Sequence, residues 1–229
     1  MGLARTLAVT LTGLTGHIVD VEAHATQGLP GFTLVGLPDA AVRESRERVR
    51  AALSTCGVTW GEQRLTVNLS PADLRKTGTG LDLALALAVL GARGRLGWSA
   101  AEVLGRTVYI GELGLDGSVH SVRGILPSVQ AAVAAGVGEI VVGQEAAAEA
   151  ELVPDARVSA ISHIGQLVER YGGRLSEGVA AAVEQISEAG RDAPAALARD
   201  DEPPDLADVV GQTEARQALE VAAAGGHHL

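Results

Sequence analysis

Residues 75–80, RKTGTG, set two cations and two hydroxyls beside two glycines, just ahead of an apolar run that reads as a helix. That arrangement suggests an anion site, because the first amides of a helix have no intrahelical partner and carry partial positive charge. Arg75 and Lys76 would add to it. The order is wrong for a phosphate-binding loop, in which Gly-Lys-Ser/Thr closes the turn and the lysine points back to the phosphates. A structural turn is the competing reading. GELGLDG at 111–117 is a weaker candidate, since it joins two strand-like stretches and no helix follows it.

Nucleophilic catalysis needs a hydroxyl or thiol beside a base. Ser70, Thr77 and Thr79 lie near Lys76, but that lysine is expected to be exposed, hence protonated and a poor base. Asp73 and Asp82 flank the same loop. Thr79 and Asp82, three residues apart, read as a capping pair at the helix start, which leaves no free pair of carboxylates. His17, His24, His120 and His163 share no helical spacing, so no metal cluster is expected. His227 and His228 are adjacent and would diverge by about 100 degrees on a helix, which makes a turn after a helix the simpler reading.

Pro38 and Asp39 open a helix on which Asp39 caps an amide and Val42, Val49 and Leu53 form the buried side. Its other side mixes Arg43, Arg46, Arg48 and Arg50 with Glu44 and Glu47. The Arg43–Glu47 and Glu44–Arg48 spacings allow ion pairs across one turn. That face is read either as solvated and self-paired or as a contact for phosphate or a neighbouring subunit.

The elements that must position these residues belong to an α/β (α+β) chain of 229 residues, 47% apolar and only 2% aromatic, whose core must be built from aliphatic side chains. The net charge is −10, of which the ten acids and three arginines between Glu184 and Glu220 account for −7, so the first domain is nearly neutral. That removes support for a globally basic nucleic-acid-binding body and leaves a local basic patch open. The only cysteine, Cys56, excludes an internal disulfide, reads as a small buried hydrophobe and suits a reducing compartment. No run approaches the ~20 apolar residues of a spanning helix and no leader pattern is visible, so a soluble, cytoplasmic chain is expected.

Alternation places strands at GHIVDVEAHA, GFTLVG and QRLTVNLS, and Leu81 to Leu90 reads as a helix buried on most sides. TVYIGELGLDGSVHSVRGI follows as strand, turn and strand, with Asp116-Gly117 in the turn. A helix near Pro127 runs to Gly136, EIVVG is a short buried strand, and Ser162 is expected to cap a helix carrying Ile164, Leu167 and Tyr171. Val179, Val183 and Ile186 suggest one more short helix before the linker AGRDAPAALARDDEPP. The last 25 or so residues are below the ~40 at which an isolated domain becomes plausible.

Four blocks in order, VEAHATQGLPGFTLVGLPDAAVRESRERVRAAL, RLTVNLSPADLRKTGTGLDLALALAVL, YIGELGLDGSVHSVRGILP and DLADVVGQTEARQALEVAAAGGHHL, resemble the YifB/ComM-type magnesium-chelatase-like ATPases. The resemblance implies a Lon proteolytic-domain-like fold, of the ribosomal S five domain-two-like superfamily, over residues 1–175. A short helix and linker would follow at 176–204, then the incomplete start of an AAA+ ATPase domain at 205–229. GGHHL is similar to the approach to the first ATPase strand, so the chain would stop before its phosphate-binding loop.

Further expectations follow from that resemblance. Val210, Gly211 and Gln212 look like the family's adenine-side segment; ATP and Mg would serve the complete family protein, and no cofactor the fragment. Partners would be the missing AAA+ core, further copies in a homo-hexamer, and DNA in branch migration linked to natural transformation, with Arg43, Arg46 and Arg50 as candidate contacts and no membrane involved. Where Lon-type peptidases carry a serine and a lysine, this chain has Gly80 and Leu126, so no catalytic residue is expected. The alternatives are a freestanding DNA- or protein-interaction module and a Lon-like serine peptidase, which Gly80 and Leu126 argue against.

Overall fold

The computed structural model describes residues 2–60, 63–175, 177–192 and 205–227. The chain divides into two compact units, Met1–Pro194 and Ala195–Leu229. The first unit begins with a long hairpin of β1 (Gly2–Thr12) and β2 (Thr15–Gln27), paired from Gly2↔Ala25 to Thr12↔Thr15. No element was expected at β1. Its Leu7 and Val9 face one way and Ala4 and Ala8 the other, and all four are buried, so the strict alternation that reveals a half-buried strand is missing.

The unit continues through β3 (Gly31–Val35), α1 (Ala40–Thr55), β4 (Gln63–Ser70), α2 (Asp82–Ala92) and α3 (Ala100–Leu104). Then come β5 (Thr107–Ile110), a small hairpin of β6 (Glu112–Leu113) and β7 (Val119–His120), α4 (Ile125–Ala134), β8 (Glu139–Gly143) and α5 (Ala147–Ala150). It closes with β9 (Val158–Ile161), α6 (Ile164–Arg170) and α7 (Glu177–Asp192). Seven strands form one mixed, mostly parallel sheet in the order β3-β4-β2-β1-β5-β8-β9. Within it β2 pairs antiparallel with β1 and β4, and every other pairing is parallel.

The sheet separates two apolar layers. Ala8, Tyr109 and Val141 face the layer that holds α1, α2 and α6, while Val108, Ile110, Ile140 and Val142 face Ile125, Val129 and Ala132 of α4. The central parallel strands are therefore covered on both sides. On β2 and β4 the pattern changes: Val21, Ala23, Leu65 and Val67 are buried, whereas Glu22, His24, Arg64 and Thr66 alternate with them on a more open face. Among the described residues no helix is long and apolar enough to cross a membrane.

Three helix starts differ from the local reading. Leu81, not Thr79, occupies the cap position of α2 and makes no side-chain cap. α4 starts at Ile125, two residues before Pro127, after Gly124 adopts the left-handed φ of 81°; a proline in the first turn loses no intrahelical bond. α6 is capped by His163 rather than Ser162: the imidazole accepts the Gly165 amide at 3.0 Å, and Gln166 Oε1 accepts the His163 amide at 3.0 Å. α7, at 16 residues, is longer than the short helix its three apolar residues suggest. In the second unit, a 3₁₀ turn at Leu206–Asp208 precedes α8 (Thr213–Gly225).

Candidate functional site

Asp39 organises the glycine loop. Its Oδ1 accepts the Val42 amide at 2.8 Å and caps α1 as expected, while Oδ2 accepts the Gly78 amide at 3.3 Å. The Asp39 N–H donates to the Lys76 carbonyl at 3.0 Å, the Lys76 N–H to the Leu37 carbonyl at 3.2 Å, and the Thr77 N–H to Thr10 Oγ1 at 3.1 Å. One short side chain thus ties the start of α1 to the turn before α2.

Lys76 is buried, which corrects the expectation that it is exposed. Its Nζ donates to the Pro71 carbonyl rather than to the hydroxyl of Ser70, Thr77 or Thr79. Burial lowers its pKa from the ordinary lysine value, with Asp73 opposing. Enclosed and bonded to a main-chain carbonyl, the amine is not offered to a substrate.

Asp82 is not a cap but the centre of a buried ion pair. Arg48 Nε donates to Oδ2 at 2.6 Å and Nη2 to Oδ1 at 3.0 Å, the Ser45 hydroxyl donates to Oδ1, and the Leu113 amide donates to Oδ2 at 3.2 Å. Burial pushes the Asp82 carboxyl above the usual carboxylate range, opposed by Arg48, Ser45 and Leu113. Arg48 is raised, chiefly by its hydrogen bond to Asp82. The group joins α1, α2 and β6. It also removes Arg48 from the expected pair with Glu44.

The remaining arginines are arranged differently from the i, i+4 reading. Arg43 Nε donates to the Asp39 carbonyl at 3.2 Å, and Arg46 pairs with Glu47 at 2.8 Å. Arg50 and Arg93 lie 5.8 Å and 5.1 Å from the centre of the Trp60 ring, which stacks on Phe32 at 6.2 Å. Part of this basic face is thereby committed to holding Trp60 against the sheet.

Beyond the loop lies a cleft of about 460 Å³ lined by Thr77 to Gly80 on one side and by Glu112, Ser121, Val122, Arg123 and Ser128 on the other. Thr79 Oγ1 donates to Glu112 Oε2 at 2.5 Å. A Cβ at Gly80 would stand 3.4 Å from Val122 Cγ2 and 3.9 Å from Ile110 Cγ2, so the position has room for a side chain it does not carry. Leu126 packs into the apolar layer under α4, and its amide donates to Glu149 Oε1 at 2.9 Å. Neither position supplies a nucleophile or a base. Ser121, Arg123 and Ser128 were missed by sequence reading, since nothing local links them to a loop some 40 residues earlier.

Among the described residues no three of the His, Cys, Asp and Glu side chains are placed to hold a metal ion. His163 caps α6 and its Nε2 lies 2.9 Å from the Asp116 carbonyl, while His120 Nε2 lies 3.0 Å from the Ser118 hydroxyl. In the second unit, Val210 is 97% exposed, and Gly211 and Gln212 take left-handed φ values of 77° and 50° ahead of α8. The His227 amide closes that helix on the Ala222 carbonyl at 2.9 Å, and His228 lies outside the described residues.

The family model for subunit ChlI of Mg-chelatase matches residues 21–146, and a second, for magnesium chelatase subunit ChlI, matches residues 205–229. Competence protein ComM of Haemophilus influenzae and the uncharacterised protein YifB of Salmonella typhimurium are each 35% identical across all 229 residues. The chain spans 43% of the first and 42% of the second. A weaker likeness, 29% identity over 188 residues, covers 74% of this chain and 22% of the Lon protease of Halothermothrix orenii. From the two chelatase matches, at 21–146 and 205–229, and the full-chain identity to both relatives, the chain belongs to the magnesium-chelatase ChlI family, as a protein of the YifB/ComM type.

Proposed function

We propose that residues 1–229 are the N-terminal accessory region of an ATP-dependent, DNA-processing protein and are themselves silent toward ATP and peptide bonds. The observation that carries this reading is the order of the two family matches, 21–146 and then 205–229, in a chain spanning under half of relatives it matches end to end. Residues 1–175 would be a Lon-like domain without its dyad, 176–204 a helix and connector, and 205–229 the start of the AAA+ domain. The DNA-processing part draws on the Haemophilus relative being a competence protein and on the family resemblance.

The residues expected near ATP fit only part of that ligand. Val210 offers an exposed apolar side chain to a ring, and Gly211 and Gln212 a bend at which main chain can approach it closely. The Arg216 guanidinium is turned to the Val209 carbonyl at 3.3 Å. The described residues contain no Gly-Lys-Ser/Thr loop to hold phosphates and no group for Mg. No hydrolytic step is therefore derived from this chain.

Silence toward peptide bonds follows from Gly80 and Leu126, which offer hydrogen and isobutyl where a hydroxyl and an amine would be needed. The test uses the purified 229-residue chain with ATP and Mg, and separately with a fluorophosphonate probe. Neither turnover nor labelling is expected. A chimaera carrying these residues in place of the matching part of Haemophilus ComM should hydrolyse ATP, whereas ATP turnover by the 229 residues alone would overturn the reading.

A further inference from the structure

Three helices of the first unit, α1, α2 and α6, end around one cleft of about 260 Å³. Val58, Leu90, Leu96, Val168 and Leu175 give it an aliphatic wall. Its charged residues are Arg95 and Arg174, and no carboxylate lines it among the described residues. Both arginines are exposed, and neither forms an ion pair among the described residues.

Arg93 places a third cation beside them. Its Nη2 donates to the Thr59 carbonyl at 2.5 Å, and Arg95 Nη2 donates to the hydroxyl of the same residue at 3.4 Å. Arg93 Nη1 is buried with no hydrogen-bond partner. The Arg93 pKa is lowered by burial and then by the charge of Arg95. Two like charges held on one residue repel each other, and an anion between them relieves the repulsion.

Cations also gather at helix C-termini simply to meet the last carbonyls. Here main-chain amides already close those ends: Val58 donates to the Leu53 carbonyl at 2.9 Å, Arg95 to Leu90 at 3.0 Å and Gly173 to Val168 at 2.8 Å. Each helix end carries roughly half a negative charge, so the three together fall short of three guanidiniums. The surplus is positive.

The two parts of the lining make different demands on one ligand. A bare oxyanion would leave the aliphatic wall facing water, and an uncharged hydrocarbon would leave the guanidiniums unpaired. The volume lies below the ~300 Å³ at which ordinary small-ligand sites begin, which favours a ligand smaller than a nucleotide. We propose that this cleft binds a small organic acid, a carboxylate on an aliphatic chain of about four to eight carbons. The carboxylate pairs with Arg95 and Arg174, and the chain lies against Leu90, Leu96 and Val168. The proposal is independent of the motor reading and concerns the unit Met1–Pro194 alone.

The test titrates the isotope-labelled 229-residue chain with sodium acetate, butyrate, hexanoate and octanoate, with hexan-1-ol and with inorganic phosphate, following amide shifts by NMR. Hexanoate should shift the amides of Gly94 to Leu96 and of Gly172 to Leu175 saturably. Affinity should rise about twofold to fourfold per added methylene from acetate to hexanoate. Arg95→Ala and Arg174→Ala should each weaken hexanoate binding at least fivefold with an unchanged urea midpoint, since both side chains are exposed. If one variant does not fold, the other decides the matter. No saturable shift with butyrate, hexanoate or octanoate, or unchanged hexanoate binding in either folded variant, would overturn the proposal. Phosphate binding as tightly as hexanoate at the same amides would overturn it in favour of a bare oxyanion site, and hexan-1-ol doing so in favour of an uncharged apolar crevice.

Discussion

At Asp82 a carboxylate with no solvent contact depends on one guanidinium whose side chain is 18% exposed. Removing that partner leaves a buried charge with only a hydroxyl and an amide to hold it. Arg48→Ala is therefore expected to cost about 3–5 kcal/mol, read from urea unfolding midpoints. Replacing both partners together, Arg48→Met with Asp82→Leu, should cost clearly less, since no charge is then stranded. Cys56 gives a second test at this scale. Burial, with Asp116 adding to it, raises its thiol from 9.0 to about 11. At pH 8 the folded chain should react with iodoacetamide far more slowly than the urea-unfolded chain. The unfolded thiol ionises first as pH rises, so folding loses stability between pH 9 and pH 11 in the parent but not, from this source, in Cys56→Ala. Comparing their urea midpoints across that window checks the sign.

Among the elements, the strands that alternate cleanly were legible and the contacts between elements were not. Val19, Val21 and Ala23 announced β2, and Leu65, Val67 and Leu69 announced β4. β1 was silent because it is buried on both faces. Asp82 was misread as a cap because Thr79 is three residues away, while its true partner, Arg48, is 34 residues away on another helix. Lys76 looked exposed by residue type, and only the fold shows its stem enclosed. Half of the cleft, Thr77 to Gly80, stood out in the sequence as a glycine-rich turn; the other half, Ser121 to Ser128, carries no local signal. Asp39 is the element-scale test. Asp39→Ala removes the α1 cap, at a cost of about 1 kcal/mol, and also frees the Gly78 amide. Hydrogen exchange should then quicken at Gly78 as well as in the first turn of α1; exchange altered in α1 alone would show that the loop is held by other bonds.

For the molecule as a whole, among the described residues both apolar layers draw their side chains from Met1–Pro194. A chain of residues 1–194 is expected to unfold cooperatively with a thermal midpoint within about 2 degrees of the full 229, since nothing in either layer is removed. A midpoint lower by 10 degrees would mean that the second unit carries part of the stability. The family was legible from four sequence blocks because they are long and ordered. Of the chemistry, the sequence says that Gly80 and Leu126 carry no hydroxyl and no amine.

The two-sided covering of β5, set against the one-sided covering of β4, has a bearing on how this chain can drift. Every residue of Thr107–Ile110 is enclosed, so each site there admits few replacements, and a polar newcomer is rejected unless it finds a partner, as Thr107 does on the Val103 carbonyl and Tyr109 on the Tyr171 hydroxyl. Along Gln63–Ser70 only alternate sites are closed, and Arg64, Thr66 and Asn68 can vary freely in polar character. A saturation library scored for soluble expression would show an unbroken intolerant block in the first strand and a two-residue rhythm in the second.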